Sequence, residues 1–252
     1  ILVSASFLPI ASKRSANAIT IIDIDQIKNR AVVSVSDLLR DVAGLAVSRS
    51  GVQGSQTQIR VRGGEANHLL VLIDGVEANN PSQSDEFNWG NLVASDIERI
   101  EVIRGPQSSL LGSDAMAGVV NIITLSADQP LSTKIFSEIG SFNTQNNGIS
   151  IGLIDGAYNM HLGISDLQTD GDNISRAGSE KDGYENTNLH LKSGWRVSNQ
   201  MNLTFVARQS NGINEYDSDI NFDSVIDDQD GLSKFDSTTN RFKADYTSLD
   251  GH

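Results

Sequence analysis

In the second half of the chain, apolar and polar side chains alternate with a period of two. Ile149, Ile151 and Leu153 fall on one side, with Ser150 and Gly152 between them. Tyr158, Met160, Leu162 and Ile164 alternate in the same way with Asn159, His161, Gly163 and Ser165. The pattern recurs at Leu189, Leu191, Trp195 and Val197, at Met201, Leu203, Phe205 and Ala207, and at Phe242, Ala244 and Tyr246. This is the period of a β-strand with one apolar and one polar face. Short turns at Asp155-Gly156 and Ser198-Asn199 alternate with long polar segments, roughly 168–185 and 209–238. Two architectures share such a pattern: a soluble β-sandwich with one wet face, and a membrane barrel whose tilted strands of about ten residues cross a bilayer.

The first half mixes its elements. Ala18–Ile24 is a short β-run, followed by Asp25-Gln26-Ile27. Ser34–Val47 reads as a helix and then a strand, with Ser36 as N-cap, Leu38, Leu39 and Val42 on one face, and Gly44 as the stop. Residues 48–57 form a glycine- and serine-rich loop, and Gln58–Gly64 and Leu69–Val76 read as two strands around a turn. Asp74-Gly75 is itself a tight-turn dipeptide. Glu77–Asn91 is a polar loop with two aromatics, Phe87 and Trp89.

The chain is organised around Ile97–Thr124. Alternation over Ile97–Ile103 predicts a partly buried strand, which Gly105-Pro106 stops. Small residues then permit close backbone approach before the β-prone run Val119–Thr124.

Composition narrows the choices. A chain of 252 residues suits one large or two ordinary domains, and 38% hydrophobic with 20% charged residues excludes a collagen-like or disordered chain. No apolar run reaches the ~18–20 residues of a transmembrane helix, which leaves a membrane β-barrel open. No initiator Met and no basic leader precede Ile1, so a signal peptide is expected to be cleaved or not included. The absence of cysteine rules out a disulfide framework and a Cys₄ zinc site. The net charge of −13 is uneven: thirteen acids face ten bases up to Ser126, and nineteen face nine beyond it. An acidic half of this kind argues against nucleic-acid binding.

Catalytic patterns are missing from the sequence. His68, His161, His190 and His252 are scattered, and no H-E-x-x-H, G-x-S-x-G or phosphate-binding loop occurs. The long polar segments instead gather carboxylates: Asp166, Asp170, Asp172, Glu180, Asp182 and Glu185 in the first, and Glu215, Asp217, Asp219, Asp223, Asp227, Asp228, Asp230 and Asp236 in the second. Crowded carboxylates repel, and a hard divalent cation with oxygen ligands relieves the repulsion; a solvated acidic loop is the plainer alternative. Asp217, Asp219, Asn221, Asp223 and Asp228 fit an EF-hand frame in part, but Phe222 stands where its turn glycine belongs.

Ile97–Thr124 resembles the closing signature of the plug (cork) domain of TonB-dependent outer-membrane receptors, I-E-R-I-E-V-I-R-G-P, then G, then A-x-G-G-V-I-N-I-I-T. Gly112 and Ala117–Thr124 stand in that frame, with Ala117 where the family usually has Gly. Ser34–Val47 is similar to the family's S-V-x-D-L-L-R-x-V-P-G-L-x-V, with Ala43 in place of Pro, and Leu69–Val76 to its V-L-V-L-I-D-G-V. The plug match is nearest the cobalamin transporter subgroup.

The resemblance implies several roles. Leu2, Val3, Ser4 and Ala5 would be the Ton box, recruiting the TonB periplasmic domain by strand addition. Arg62 and Arg104 would leave the plug surface to meet glutamates of the barrel wall beyond His252, the plainer reading being local pairing with Glu98 or Glu101. Gln53, Ser55 and Gln56 in one loop, and Asp85, Phe87 and Trp89 in the other, would face substrate; packing is the plainer role of the two aromatics. Ca²⁺ would be held by Asp172, Glu180, Asp182 and Asp217, completed by Asp228 or a neighbour, Asp227 or Asp230. The substrate would be cobalamin, or an iron–siderophore or haem.

The expected fold is therefore an α+β plug domain (1–126) followed by antiparallel transmembrane β-barrel strands (127–252). About six strands cannot close around such a plug, so this would be a fragment of the 22-stranded barrel that the resemblance implies. The expected place is the bacterial outer membrane, in contact with its lipid, with no bond made or broken. The alternative from another class is a secreted, calcium-stabilised β-sandwich binding protein.

Overall fold

The computed structural model describes residues 2–3, 10–11, 18–175 and 178–248. The chain divides into two units, Ile1–Ser50 with Gln56–Thr124, and Gly51–Ser55 with Leu125–His252. In the first, β1 (Leu2–Val3) pairs antiparallel with β2 (Ile10–Ala11). There follow β3 (Ala18–Ile22), α1 (Ile24–Arg30), α2 (Val35–Leu39), β4 (Leu45–Arg49), β5 (Thr57–Val61), β6 (Leu69–Ile73), β7 (Val76–Glu77), β8 (Ile97–Arg104), α3 (Ser108–Leu111) and β9 (Gly118–Thr124).

The stretch Ile97–Thr124 forms the expected strand, bend and strand. β8 and β9 pair antiparallel at the middle of a five-stranded sheet of order β3-β8-β9-β6-β7. β6 runs parallel to β9, and Val119, Val120 and Ile122 are all buried although they point to both faces of β9, as in a strand covered on both sides. Leu38, Leu39, Ile59, Ile100 and Ile122 lie in one buried cluster.

Three expectations change here. The run after Ala18 ends at Ile22, because Asp23 caps a helix by accepting from the Gln26 amide at 3.0 Å, and Ile27 buries that helix's apolar side. Ser36 lies within α2 and Ser34 takes the capping position; the two hydroxyls are 2.8 Å apart, and Ser36 accepts from Arg49. The strands flanking residue 65 are not a hairpin. β5 pairs with β4, whereas β6 joins the larger sheet, and Arg62 (φ 50°) and Gly63 (φ 79°) turn the chain between them.

The second unit is an antiparallel meander of β10 (Leu131–Ile139), β11 (Gln145–Asp155), β12 (Tyr158–Thr169), β13 (Tyr184–Arg196), β14 (Met201–Ser218) and β15 (Asp227–Tyr246). Register places Ile135, Ile149, Ile164 and Leu189 in one row across the sheet, and Phe205 beside Phe242 in another. These side chains are exposed, as is Trp195 at 52%. The opposite face carries Gly152, His161, Gly163, His190 and Arg208, with the two imidazoles 5.8 Å apart.

A two-layer sandwich would bury Leu189 and Trp195 against a second sheet. Both stand exposed, and Leu191 is partly so, as an apolar face meeting lipid requires. No helix among the described residues is long and apolar enough to cross a membrane. The long segment expected over 209–238 is mostly strand: β14 and β15 pair in one register from Met201↔Tyr246 to Tyr216↔Gly231 and, past a bulge, meet again at Ser218↔Asp227, leaving 219–226 as the tip of a tall hairpin. Backbone pairing needs no apolar side chains, so polar composition concealed it.

Candidate functional site

In the connection from β12 to β13, residues 170–175 and 178–183 lie beside the tall hairpin. Gly171 (φ 70°) and Gly178 (φ 95°) let it fold tightly; a side chain at Gly178 would meet the Asp228 carboxylate. Oxygens of Glu180, Asp182 and Asp217 come within 4.8 Å of one another. Asp182 is fully buried and uses one oxygen to accept from the Ile174 amide at 3.1 Å. Asp217 accepts from Ser175 at 3.2 Å and from Gln229 at 2.8 Å. Oδ1 of Asp182, Oε2 of Glu180 and Oδ1 of Asn173 are buried without a hydrogen-bond partner among the described residues.

Burial, then the charges of Asp182 and Asp217, raises the Glu180 carboxyl above its ordinary range. Burial also raises Asp182, aided by Asp217 and Glu215 and opposed by the Ile174 amide. Buried oxygen acceptors that lack donors and repel one another are complementary to a hard cation, which takes oxygen ligands and neutralises them. The residues present therefore fit Ca²⁺.

Of the five expected ligands the structure gathers three. Asp172 and Asp228 are exposed at the margin, bonded to the backbone amide and side-chain amide of Asn173 at 3.0 and 2.6 Å. Asn173 was missed, since an isolated Asn in a polar loop carries no spacing signal. The partial EF-hand frame is not formed: Asp219 accepts from Asp223 and Ser224, and Asp227 from Ile220, closing the hairpin tip.

In the first unit, Trp89 is 2% exposed within the main apolar cluster, and Phe87 packs on it edge-to-face at 4.8 Å. The short turn Trp89–Asn91 holds the indole in the core, whereas Phe87 is half-buried. Asp85 is exposed at φ 58° and Gln56 is exposed. In the second unit, Ser55 is buried and Gln53 half-buried.

Arg62 is exposed, as expected. The Arg104 guanidinium does not stand free but donates to Ala18 O at 3.3 Å, Thr20 Oγ1 at 2.8 Å and Ala43 O. Nor does it pair with Glu98 or Glu101, which are both taken by Arg99 at 3.0 Å. Leu2 and Val3 are extended in β1, whereas Ser4 and Ala5 lie outside the described residues.

Residues 11–119 match the family described as TonB-dependent Receptor Plug Domain. Over 202 residues the chain is 31% identical to the vitamin B12 transporter BtuB of Vibrio vulnificus (strain CMCP6), covering 79% of this chain and 33% of that one. The fold is similar to the ferric yersiniabactin uptake receptor FyuA of Yersinia pestis, with a TM-score of 0.75 at 20% identity over 94% of this chain and 40% of that one. It is also similar to the siderophore receptor PirA of Acinetobacter baumannii, with a TM-score of 0.65 at 24% identity over 79% and 32% of the two chains. The chain thus spans about a third of the length of the curated relative it matches. With a plug domain followed by an antiparallel sheet whose apolar face is exposed, the chain belongs to the TonB-dependent receptors, a family of outer-membrane proteins.

Proposed function

We propose that the protein is a receptor for energised uptake of a scarce, large nutrient, that cobalamin is the nutrient, and that Ca²⁺ holds its outer loops. The observation that carries the substrate is the 31% identity to a vitamin B12 transporter across both units. The three gathered carboxylates with their unpartnered oxygens support the cation. Glu180, Asp182 and Asp217 would hold it, tying residues 170–183 to the β14–β15 hairpin. Ca²⁺ supplies charge neutralisation there and no bond chemistry. Leu2 to Ala5 would meet the TonB periplasmic domain by strand addition, a mode that the extended Leu2–Val3 suits.

Calorimetry of the full-length protein with cobalamin, with and without Ca²⁺, tests the reading. Binding heat that strengthens with Ca²⁺ is expected. No heat under either condition removes cobalamin and turns attention to an iron–siderophore, the similarly folded FyuA being a ferric yersiniabactin uptake receptor and PirA a siderophore receptor.

A further inference from the structure

The five residues Gly51–Ser55 belong with the second unit, and their seat there is narrow. Gly54 has φ 84° and lies flat against the Tyr184 ring; an added Cβ would stand 2.0 Å from a ring carbon. Gly51 approaches Ile174, whose Cδ1 would be 3.6 Å from a Cβ placed there. Tyr184 is 1% exposed, and its hydroxyl accepts from Asn186 at 2.6 Å, so the ring has little freedom to retreat.

Both supports of this loop lead to one carboxylate. The Ile174 amide donates to Asp182 Oδ2 at 3.1 Å, and Tyr184 follows Asp182 by two residues. Between them, Gly183 donates to Glu215 Oε2 at 2.8 Å and accepts from the Glu215 amide at 2.9 Å, so the backbone from Asp182 to Tyr184 is fastened to β14. A displacement of Asp182 must therefore move Ile174, Tyr184 or both. The other oxygen of Asp182 is the buried one without a partner among the described residues, and the Asp182 carboxylate offers an oxygen to the group with Glu180 and Asp217.

We propose that Tyr184 and Ile174 form a seat that couples cation occupancy of the Glu180–Asp182–Asp217 cluster to the position of Gly51–Ser55. With the cation held, Asp182 is drawn to it, the seat is set, and Gly54 docks on the ring. Without it, repulsion among the carboxylates displaces Asp182 and the loop carrying Gln53 and Ser55 is released. Gly54 and Tyr184 act as positioning residues, and the coupling rests on the cation reading above.

The test is a nitroxide on Gln53→Cys in the full-length protein, this chain having no cysteine of its own, titrated with Ca²⁺ alone while calorimetry follows binding. In the parent, Ca²⁺ is expected to raise the seated-to-released ratio by about fivefold, the low end of ordinary coupling. Gly54→Ala and Tyr184→Ala should still bind Ca²⁺ but show no change in the label, whereas Tyr184→Phe, which keeps the ring, should respond as the parent does. Ca²⁺ heat with an unmoved label in the parent, or a parent-like response in Gly54→Ala, overturns the coupling and leaves the cation site standing. No Ca²⁺ heat in the parent removes the site and the coupling together.

Discussion

Arg104 donates to two carbonyls and a hydroxyl that belong to β3 and to the approach to β4, and β3 is the edge strand of its sheet. Hydrogen bonds from a charged donor contribute about 1.5–3 kcal/mol when one partner is deleted. Arg104→Ala should therefore speed amide exchange over Ala18–Ile22 by about tenfold or more, whereas exposed Arg62→Ala should stay within about 0.5 kcal/mol. Equal, small effects of the two would contradict this assignment. The sequence could place both arginines before glycines, but the direction of a long side chain depends on which carbonyls the fold brings near. That information is tertiary.

Glu77 offers a pH readout at the same scale. Burial first, then the hydrogen bond and charge of Asp114 and the charge of Asp85, raises its carboxyl above the ordinary value. A raised carboxyl favours folding while protonated, so its contribution is complete below the unfolded value near 4.5 and is lost as pH rises through the higher folded value. Asp114→Asn removes the charge while keeping an oxygen that can accept from the protonated Glu77 carboxyl. It should slow exchange at Val76 and Glu77 at pH 7 and change nothing below about pH 4. An equal change at both pH values would mean that the hydrogen bond, not the charge, matters.

Among elements, the central strands were the most legible. Ile97–Thr124 combines alternation, a glycine–proline stop and a β-prone run, and all three cues agree. Where local and tertiary cues diverge, the reading failed: a two-turn helix after Asp23 is too short to show a period, and β14 and β15 extend through carboxylate-rich sequence. Trp89 belongs to the same lesson. A polar loop suggested a contact surface, yet the indole fills the core, and Trp89→Ala should cost about 3–5 kcal/mol in a denaturation experiment. A near-zero cost would return Trp89 to the surface. The loop acids were legible from their spacing only as a group; the family resemblance singled out Glu180, Asp182 and Asp217, and what brings these three together is the pairing of the tall hairpin. Asp182→Asn should weaken Ca²⁺ by at least tenfold, about 1.4 kcal/mol, in a calcium titration.

For the whole molecule, one physical statement underlies the rest: the β10–β15 sheet turns its Ile, Leu and Trp side toward lipid. Register across five strand pairs lines those residues on one face, and aromatic Tyr158, Trp195 and Tyr246 gather toward the short-turn end, as at a bilayer boundary. Nitroxide scanning of the full-length protein in bilayers addresses this directly, with one label at Ile164 and another at Ser165. The account predicts that the label at Ile164 is reached by dissolved oxygen and shielded from a water-soluble nickel chelate, with the opposite preference at Ser165. Free access of the chelate to Ile164 would contradict it.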